Sequence, residues 1–458
     1  MTTLTHQTRP LAPISLRDLR DVDPYPAYEA MRAVGPVVWD ERMTTWLALS
    51  HDTCTLVERR EDLFEEPTGS LPGAAEIVGR RDFRSLVGDE HETLHRSVSH
   101  AWRPDPIAPL AIAAVRPIVI DRIARLAAST AFELYEDLAR FLPIAVIGRV
   151  LGLPDRDVAT LEEAKGWMEA VLAWRHTYGE VAALRDAAIE ATKRLDPLLL
   201  DTVLARRDRP EEDAISLLWS TGREVAADWN EQDVMDNAKF LFEGGSETTA
   251  FLICTAIHRL LEWPAERRAA TLADPAAFAR FLEEVLRHST VVHLRARRAT
   301  QDVEVGGVTV LGGERIIAIN AAANRDPARW DRPDELDPDR PRLWGHLGFN
   351  VGPRHCVGSH LARMEASEVI GGLWRAYPDL ERVPGTEAAV VPLGFVSRAW
   401  RPVHLQHGPV SAQLARERIQ AGPAWAGSVP GRAGAPAAGR VPGDPGAYAV
   451  APQGEPVT

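Results

Sequence analysis

Apolar positions recur at helical spacing over most of this chain, and short stretches of strict alternation are few. That pattern predicts a mainly α protein with small β-sheets, an α+β fold in a single large domain. An amphipathic segment at Pro24 to Val34 comes first, and alternation over residues 36 to 50 then predicts a short hairpin. Long helices are expected over 106–128, 132–151 and 181–206. The longest runs from Asn230 to Glu262, with Asn230 as its cap, Asp233 in its first turn and Pro264 past its end. At 1.5 Å per residue it spans roughly 45–50 Å, enough to cross a whole domain. A further helix is expected over 276–288. Strand-like alternation returns at 303–310 and 315–319. The Pro-, Asp- and Arg-rich stretch from 326 to 341 has no period and reads as ordered but irregular.

Composition sets the boundaries. Residues 1–19 read as a flexible N-terminus and 20–405 as one folded domain. From 406 to 458 Gly, Pro and Ala dominate, and such a tail is predicted to be disordered because it buries too little apolar surface. The formal net charge of -13 argues against nucleic acid or an anionic membrane surface as the main partner. No run approaches 18 apolar residues, so no membrane span is expected. The first residues lack the layout of a secretory signal. Three widely spaced cysteines, Cys54, Cys254 and Cys356, suit a reducing cytoplasm. They are too few for a four-cysteine cluster.

Cys356 stands in the most informative stretch, Phe349-Asn350-Val351-Gly352-Pro353-Arg354-His355-Cys356-Val357-Gly358, ahead of a helix expected over 357–374. A thiolate near a helix N-terminus and beside a cation such as Arg354 is favoured in its ionised, metal-binding form. Gly352 and Gly358 would let the backbone approach a flat ligand. A lone cysteine is more often simply buried. Two glycines, Gly244 and Gly245, interrupt the longest helix at a cost of about 1 kcal/mol each relative to Ala. They mark either a helix crossing or kink, or a groove. Glu284 and Arg287 lie on one helix face and can pair, as many surface residues do.

Phe-x-x-Gly-x-Arg-x-Cys-x-Gly resembles the haem-binding loop of the cytochrome P450 family, soluble bacterial type. The resemblance covers roughly residues 20 to 405 and implies a cytochrome P450-like catalytic domain holding haem b. On it, Cys356 ligates the iron, Phe349 packs beside the sulfur, Gly358 follows the ligand, and Arg354 pairs with a propionate. Gly244-Gly245-Ser246-Glu247-Thr248-Thr249 is similar to the family's oxygen-activation groove. There the two glycines clear the haem face, Thr248 bonds the co-substrate O2, and Glu247 relays protons. Glu284 and Arg287 match the structural Glu-x-x-Arg, with Arg340 as third partner. Arg297 falls on a propionate-binding arginine. His91 matches the start of the family's His-x-x-x-Arg-Arg, while His95 replaces its first arginine, so His95 or Arg96 would take that role.

The implied activity is a monooxygenase acting on a hydrophobic small molecule by hydroxylation or oxidative dealkylation. Other readings are a peroxide-driven peroxygenase and a haem-thiolate sensor that binds ligands without turnover; Glu247 and Thr248 count against both. Substrate-lining positions by the same resemblance are Leu241, Gly245, Val291, Val292, Leu294, Phe395 and Val396. Residues 64–88 and 165–180 would form a lid that includes Trp167, Met168, Trp174 and Tyr178, although the tryptophans' helical spacing equally fits ordinary core. Electrons would come from a separate ferredoxin and its reductase, steered by a local basic patch of Arg96, His100, Arg103, Arg354 and Arg363. The protein is expected to be a cytoplasmic monomer.

Overall fold

The computed structural model describes residues 9–154, 158–177, 181–393 and 396–423. The centre of the fold is the long helix Glu231–Leu261, which is apolar on nearly every side because other elements surround it. Its start is fixed by a capping box: Asn230 accepts from the Gln232 amide at 2.9 Å, and Asp233 accepts from the Asn230 amide at 3.0 Å. Helices Leu142–Leu151, Ala182–Asp208, Ala214–Val225 and Ser359–Ala376 pack around it.

A five-stranded sheet stands to one side, in the spatial order Val37–Asp40, Thr45–Ala48, Arg315–Ile319, Leu294–Ala299, Phe64–Glu65. Thr45–Ala48 runs parallel to Arg315–Ile319 and the other pairs are antiparallel. Leu294–Ala299 is the strand that matters for function: its register sets Arg295 opposite Ala318 and Arg297 opposite Ile316. Successive side chains on a strand alternate, so Arg295 and Arg297 share a face.

Most expected elements occupy their expected segments. The helix expected over 276–288 is Pro275–His288, capped by Asp274, and the one expected over 357–374 is Ser359–Ala376. Residues 326–341 form turns without helix or strand. Residues 9–19, expected to be flexible, are anchored, with Leu16 and Leu19 buried and Ser15 donating to Asp40 at 2.9 Å, and two further expectations need correction. The stretch 132–151 is not one helix. Ala131–Glu133 is a strand, with Phe132 paired to Leu405, a single wide helical turn follows at Tyr135–Ala139, and the helix proper is Leu142–Leu151, opened by Pro143. Tertiary pairing to the strand His404–Gln406, near the other end of the chain, overrides the local period.

The second correction concerns the expected loss of order from 406. A helix at Ala412–Ala421, capped by Ser411, seats Ala415 and Ile419 in the core against helices Pro104–Arg125 and Ser359–Ala376. With only two anchors in a polar segment, its period is too weak to read by eye. Residues 424–458, the remainder of that tail, lie outside the described residues. No described helix is long and apolar enough to cross a membrane.

Candidate functional site

A cavity of about 300 Å³, within the usual range for small-molecule sites, lies between the long helix and the cysteine loop. One wall carries Phe349, Cys356, Val357 and Gly358; the opposite wall carries Leu241, Gly244, Gly245 and Thr248; the strand Leu294–Ala299 supplies Leu294 to Arg297. Val291, Val292 and Val396 also line it, whereas Phe395 lies outside the described residues.

Cys356 is anchored by its own loop. Its amide donates to the Phe349 carbonyl at 2.9 Å, and its carbonyl accepts from Ser359 at the start of the following helix. Gly352 makes the tight turn before it at φ +79°, and a Cβ there would sit 2.9 Å from the Arg59 backbone. That glycine therefore serves the turn and its packing against helix His51–Arg59. Burial pushes the Cys356 thiol up, while the Gly358 amide, Arg295 and Arg363 pull it back. Arg354, expected to favour the thiolate, is turned elsewhere: it donates to the carbonyls of Phe83 and Leu86, both at 2.8 Å, and pairs with Glu61 at 2.9 Å. Its Nε is buried without a hydrogen-bond partner among the described residues.

At the same edge Arg297 pairs with Glu58 at 2.6 Å. His91 Nδ1 is 3.2 Å from Glu61. His95 donates through Nε2 to the His355 carbonyl at 2.7 Å, on the tautomer that contact requires, and burial lowers its pKa. Arg96 is exposed and paired with Glu92 at 3.5 Å, and it does not line the cavity; of the two candidates, His95 is the one facing it.

On the long helix the two glycines divide their labour. A Cβ on Gly244 would meet open space, whereas one on Gly245 would lie 2.9 Å from the Ile147 side chain. Gly245 permits a close crossing with Leu142–Leu151, and Gly244 leaves the groove. Thr248 donates to the Gly244 carbonyl at 2.9 Å, with its side chain open to the cavity. Glu247 is buried: Tyr135 donates to its Oε1 at 2.8 Å, and the Lys165 ammonium contacts its Oε2. Neither partner was evident in the sequence, since Lys165 lies 82 positions away.

Behind the cysteine loop, Glu284 and Arg287 form a fully buried double contact at 2.7 and 2.8 Å. Arg340 Nε stands 3.4 Å from Glu284, and Glu335 contributes its backbone carbonyl to both arginines. A second buried group, missed in the sequence, adjoins it. Glu283 holds Arg363 at 2.5 Å and His346 at 2.9 Å, and the Arg363 guanidinium lies 4.4 Å over the Phe349 ring. Those partners carry the Glu283 carboxyl down to about 2 despite its burial. Arg354 and Arg363 are thus buried and paired, so the expected basic patch reduces to the exposed Arg96, His100 and Arg103.

The lid expectation divides as well. Glu66, Thr68 and Arg84 from the first segment and Leu172 and Arg175 from the second line the cavity. Met168 and Trp174 are core, and Trp167 packs against it. Tyr178 lies outside the described residues.

Among the described residues no group of three or more His, Cys, Asp or Glu side chains could hold a metal ion. A largely apolar cavity with the Cys356 sulfur in its wall and Arg297, Arg354, His91 and His95 among its lining residues fits a porphyrin with two acidic side chains.

The comparisons with known proteins agree. The family model described as Cytochrome P450 matches residues 278–377. Cytochrome P450-SU2 of Streptomyces griseolus is 30% identical over 383 residues, covering 78% of this chain and 87% of that protein. The putative cytochrome P450 YjiB of Bacillus subtilis is 28% identical over 362 residues, covering 79% and 89%. The crystal structure of epothilone D-bound cytochrome P450epoK superposes with a TM-score of 0.75 at 22% identity, covering 88% of this chain and 100% of that one. The chain belongs to the cytochrome P450 family. Its members bind haem b and use O2 as co-substrate, and the protein is an oxygen-incorporating oxidoreductase, a cytochrome P450 monooxygenase.

Proposed function

We propose that the protein hydroxylates or oxidatively dealkylates a mostly apolar small molecule, with Cys356 holding the haem iron and electrons supplied by a separate ferredoxin and reductase. When bound, the haem supplies the reductive activation of O2, and a thiolate ligand favours O–O cleavage. Arg297, Arg354, His91 and His95 would face its propionates, and Phe349 would pack beside the sulfur.

The observation that carries the reading is the neighbouring pair Thr248 and Glu247. Thr248 holds a hydroxyl proton at the open groove. Glu247 sits one residue back with two proton-bearing partners, Tyr135 and Lys165. Protons for the departing oxygen would reach Thr248 through Glu247 once its carboxylate swings from those partners. Leu241, Val291, Val292, Leu294 and Val396 give the substrate an apolar bed, and Gly244 leaves room beside it. Arg96, His100 and Arg103, exposed on the cysteine side of the chain, would meet an acidic ferredoxin.

Replacing Thr248 tests the assignment. Thr248→Ala should retain haem and the thiolate-type spectrum while product falls and hydrogen peroxide rises per electron consumed. Coupling equal to the parent's would overturn the proton-delivery role.

A further inference from the structure

The cavity wall is more charged than an apolar substrate needs. Arg84 is matched by Asp82 at 2.6 Å and by Glu243 at 3.0 Å. Arg175 stands 2.5 Å from the other Glu243 oxygen, close as a charge pair though not aligned as a hydrogen bond. Arg297 has Glu58 and Arg354 has Glu61. Arg295 is the exception. It lines the cavity on the same strand face as Arg297, yet its Nε is buried without a partner and the guanidinium has no ion pair among the described residues. An arginine cannot escape by losing its proton. A buried cation without a counter-charge is unfavourable, and the rigid fork of a guanidinium fits a carboxylate through two parallel hydrogen bonds.

We infer that Arg295 is a carboxylate-binding residue of this cavity, whose partner arrives with a bound molecule. Two sources carry that chemistry: an acidic group on the substrate, or a propionate of the haem. The first makes the substrate an amphipathic acid, which refines the proposed function and rests on it. Neighbouring charges support the assignment. Glu58, already engaged by Arg297, and the Cys356 sulfur ease the Arg295 charge from a distance, while Arg297 and Arg175 are like charges that favour an added anion.

The test uses the haem-loaded full chain, with Arg295→Met to remove the charge and Arg295→Lys to keep it without the fork. In one arm the ferric spectrum is titrated with laurate and 4-phenylbutyrate, each against its methyl ester. In the other, haem transfer to apomyoglobin is timed. A substrate carboxylate predicts that Arg295→Met weakens the acids by about tenfold or more and the esters by less than about twofold, with Arg295→Lys between. A propionate predicts that Arg295→Met speeds haem transfer about threefold or more with the acid-to-ester ratio unchanged. If both variants match the parent in both arms, the assignment is overturned. The titration needs no electrons, so a protein that prefers acids yet turns nothing over would fail the proposed function and not this assignment.

Discussion

The ground behind the cysteine loop and the strand beside the cavity hold charge in opposite ways. On the cysteine side each buried cation has its acid within the fold: Arg287 and Arg340 on Glu284, Arg363 and His346 on Glu283. On the strand side Arg295 faces the cavity with no such acid among the described residues. A closed network fixes the loop that carries Cys356 and asks nothing of a ligand. An unmatched cation leaves part of the electrostatic balance to whatever binds. The first region is thus built for position and the second for choice.

The comparison breaks most sharply at Glu284. Glu284→Gln leaves two arginines buried beside a neutral amide, and removing one partner of such a pair costs about 3–5 kcal/mol. The expected result is a protein that melts earlier and is isolated with little haem, read by thermal denaturation and by haem content per chain. A parent-like melting curve would mean the network is ornamental.

Glu283→Gln should cost less, about 2–3 kcal/mol, because Arg363 keeps the Ser359 carbonyl at 3.0 Å. Its signature lies in the pH dependence. Glu283 is held at about 2 in the fold against an ordinary value of 4.5, so the unfolded chain takes up its proton first as pH falls. The stability Glu283 contributes is complete above about 4.5 and is lost between there and about 2. Denaturant titrations across that window should show a shallower acid decline in Glu283→Gln than in the parent. Equal slopes would remove Glu283 from the network.

The smallest effect sharpens the contrast on the long helix itself. Gly244→Ala meets open space and should stabilise by about 1 kcal/mol through helix propensity. Gly245→Ala gains the same propensity but presses on Ile147 and should end neutral or destabilised by about 1–2 kcal/mol. Chemical denaturation of the two variants checks the order. The reverse order would mean that Gly245 is the one facing the groove.

Much of this was legible in the sequence because the informative residues act locally. The Cys356 loop, the Asn230 cap and the Glu284–Arg287 pair are read within a few positions. The strand alternation that puts Arg295 beside Arg297 was equally available, and it passed unnoticed because only Arg297 had a family counterpart. What stayed hidden depends on distant meetings. Glu58 finds Arg297 across 239 positions, and Lys165 finds Glu247 across 82. Nothing in a one-dimensional pattern distinguishes such acids from solvated ones. Of the two corrected elements, 132–151 failed because its strand partner lies at the other end of the chain, and the helix at Ala412–Ala421 because its two buried positions make too weak a period.

That last helix has a consequence for synthesis. Arg116 donates to the Ile419 carbonyl, 303 positions later, and Ile419 converges with Val119 and Ile123 on Gly372. A ribosome adding about 5–20 residues per second makes the earlier surface wait about 15–60 s for its cover. During that interval the apolar face of Pro104–Arg125 is open to chaperones and to neighbouring nascent chains. Yield in a cell should therefore respond to chaperone supply more than the finished protein's stability would suggest.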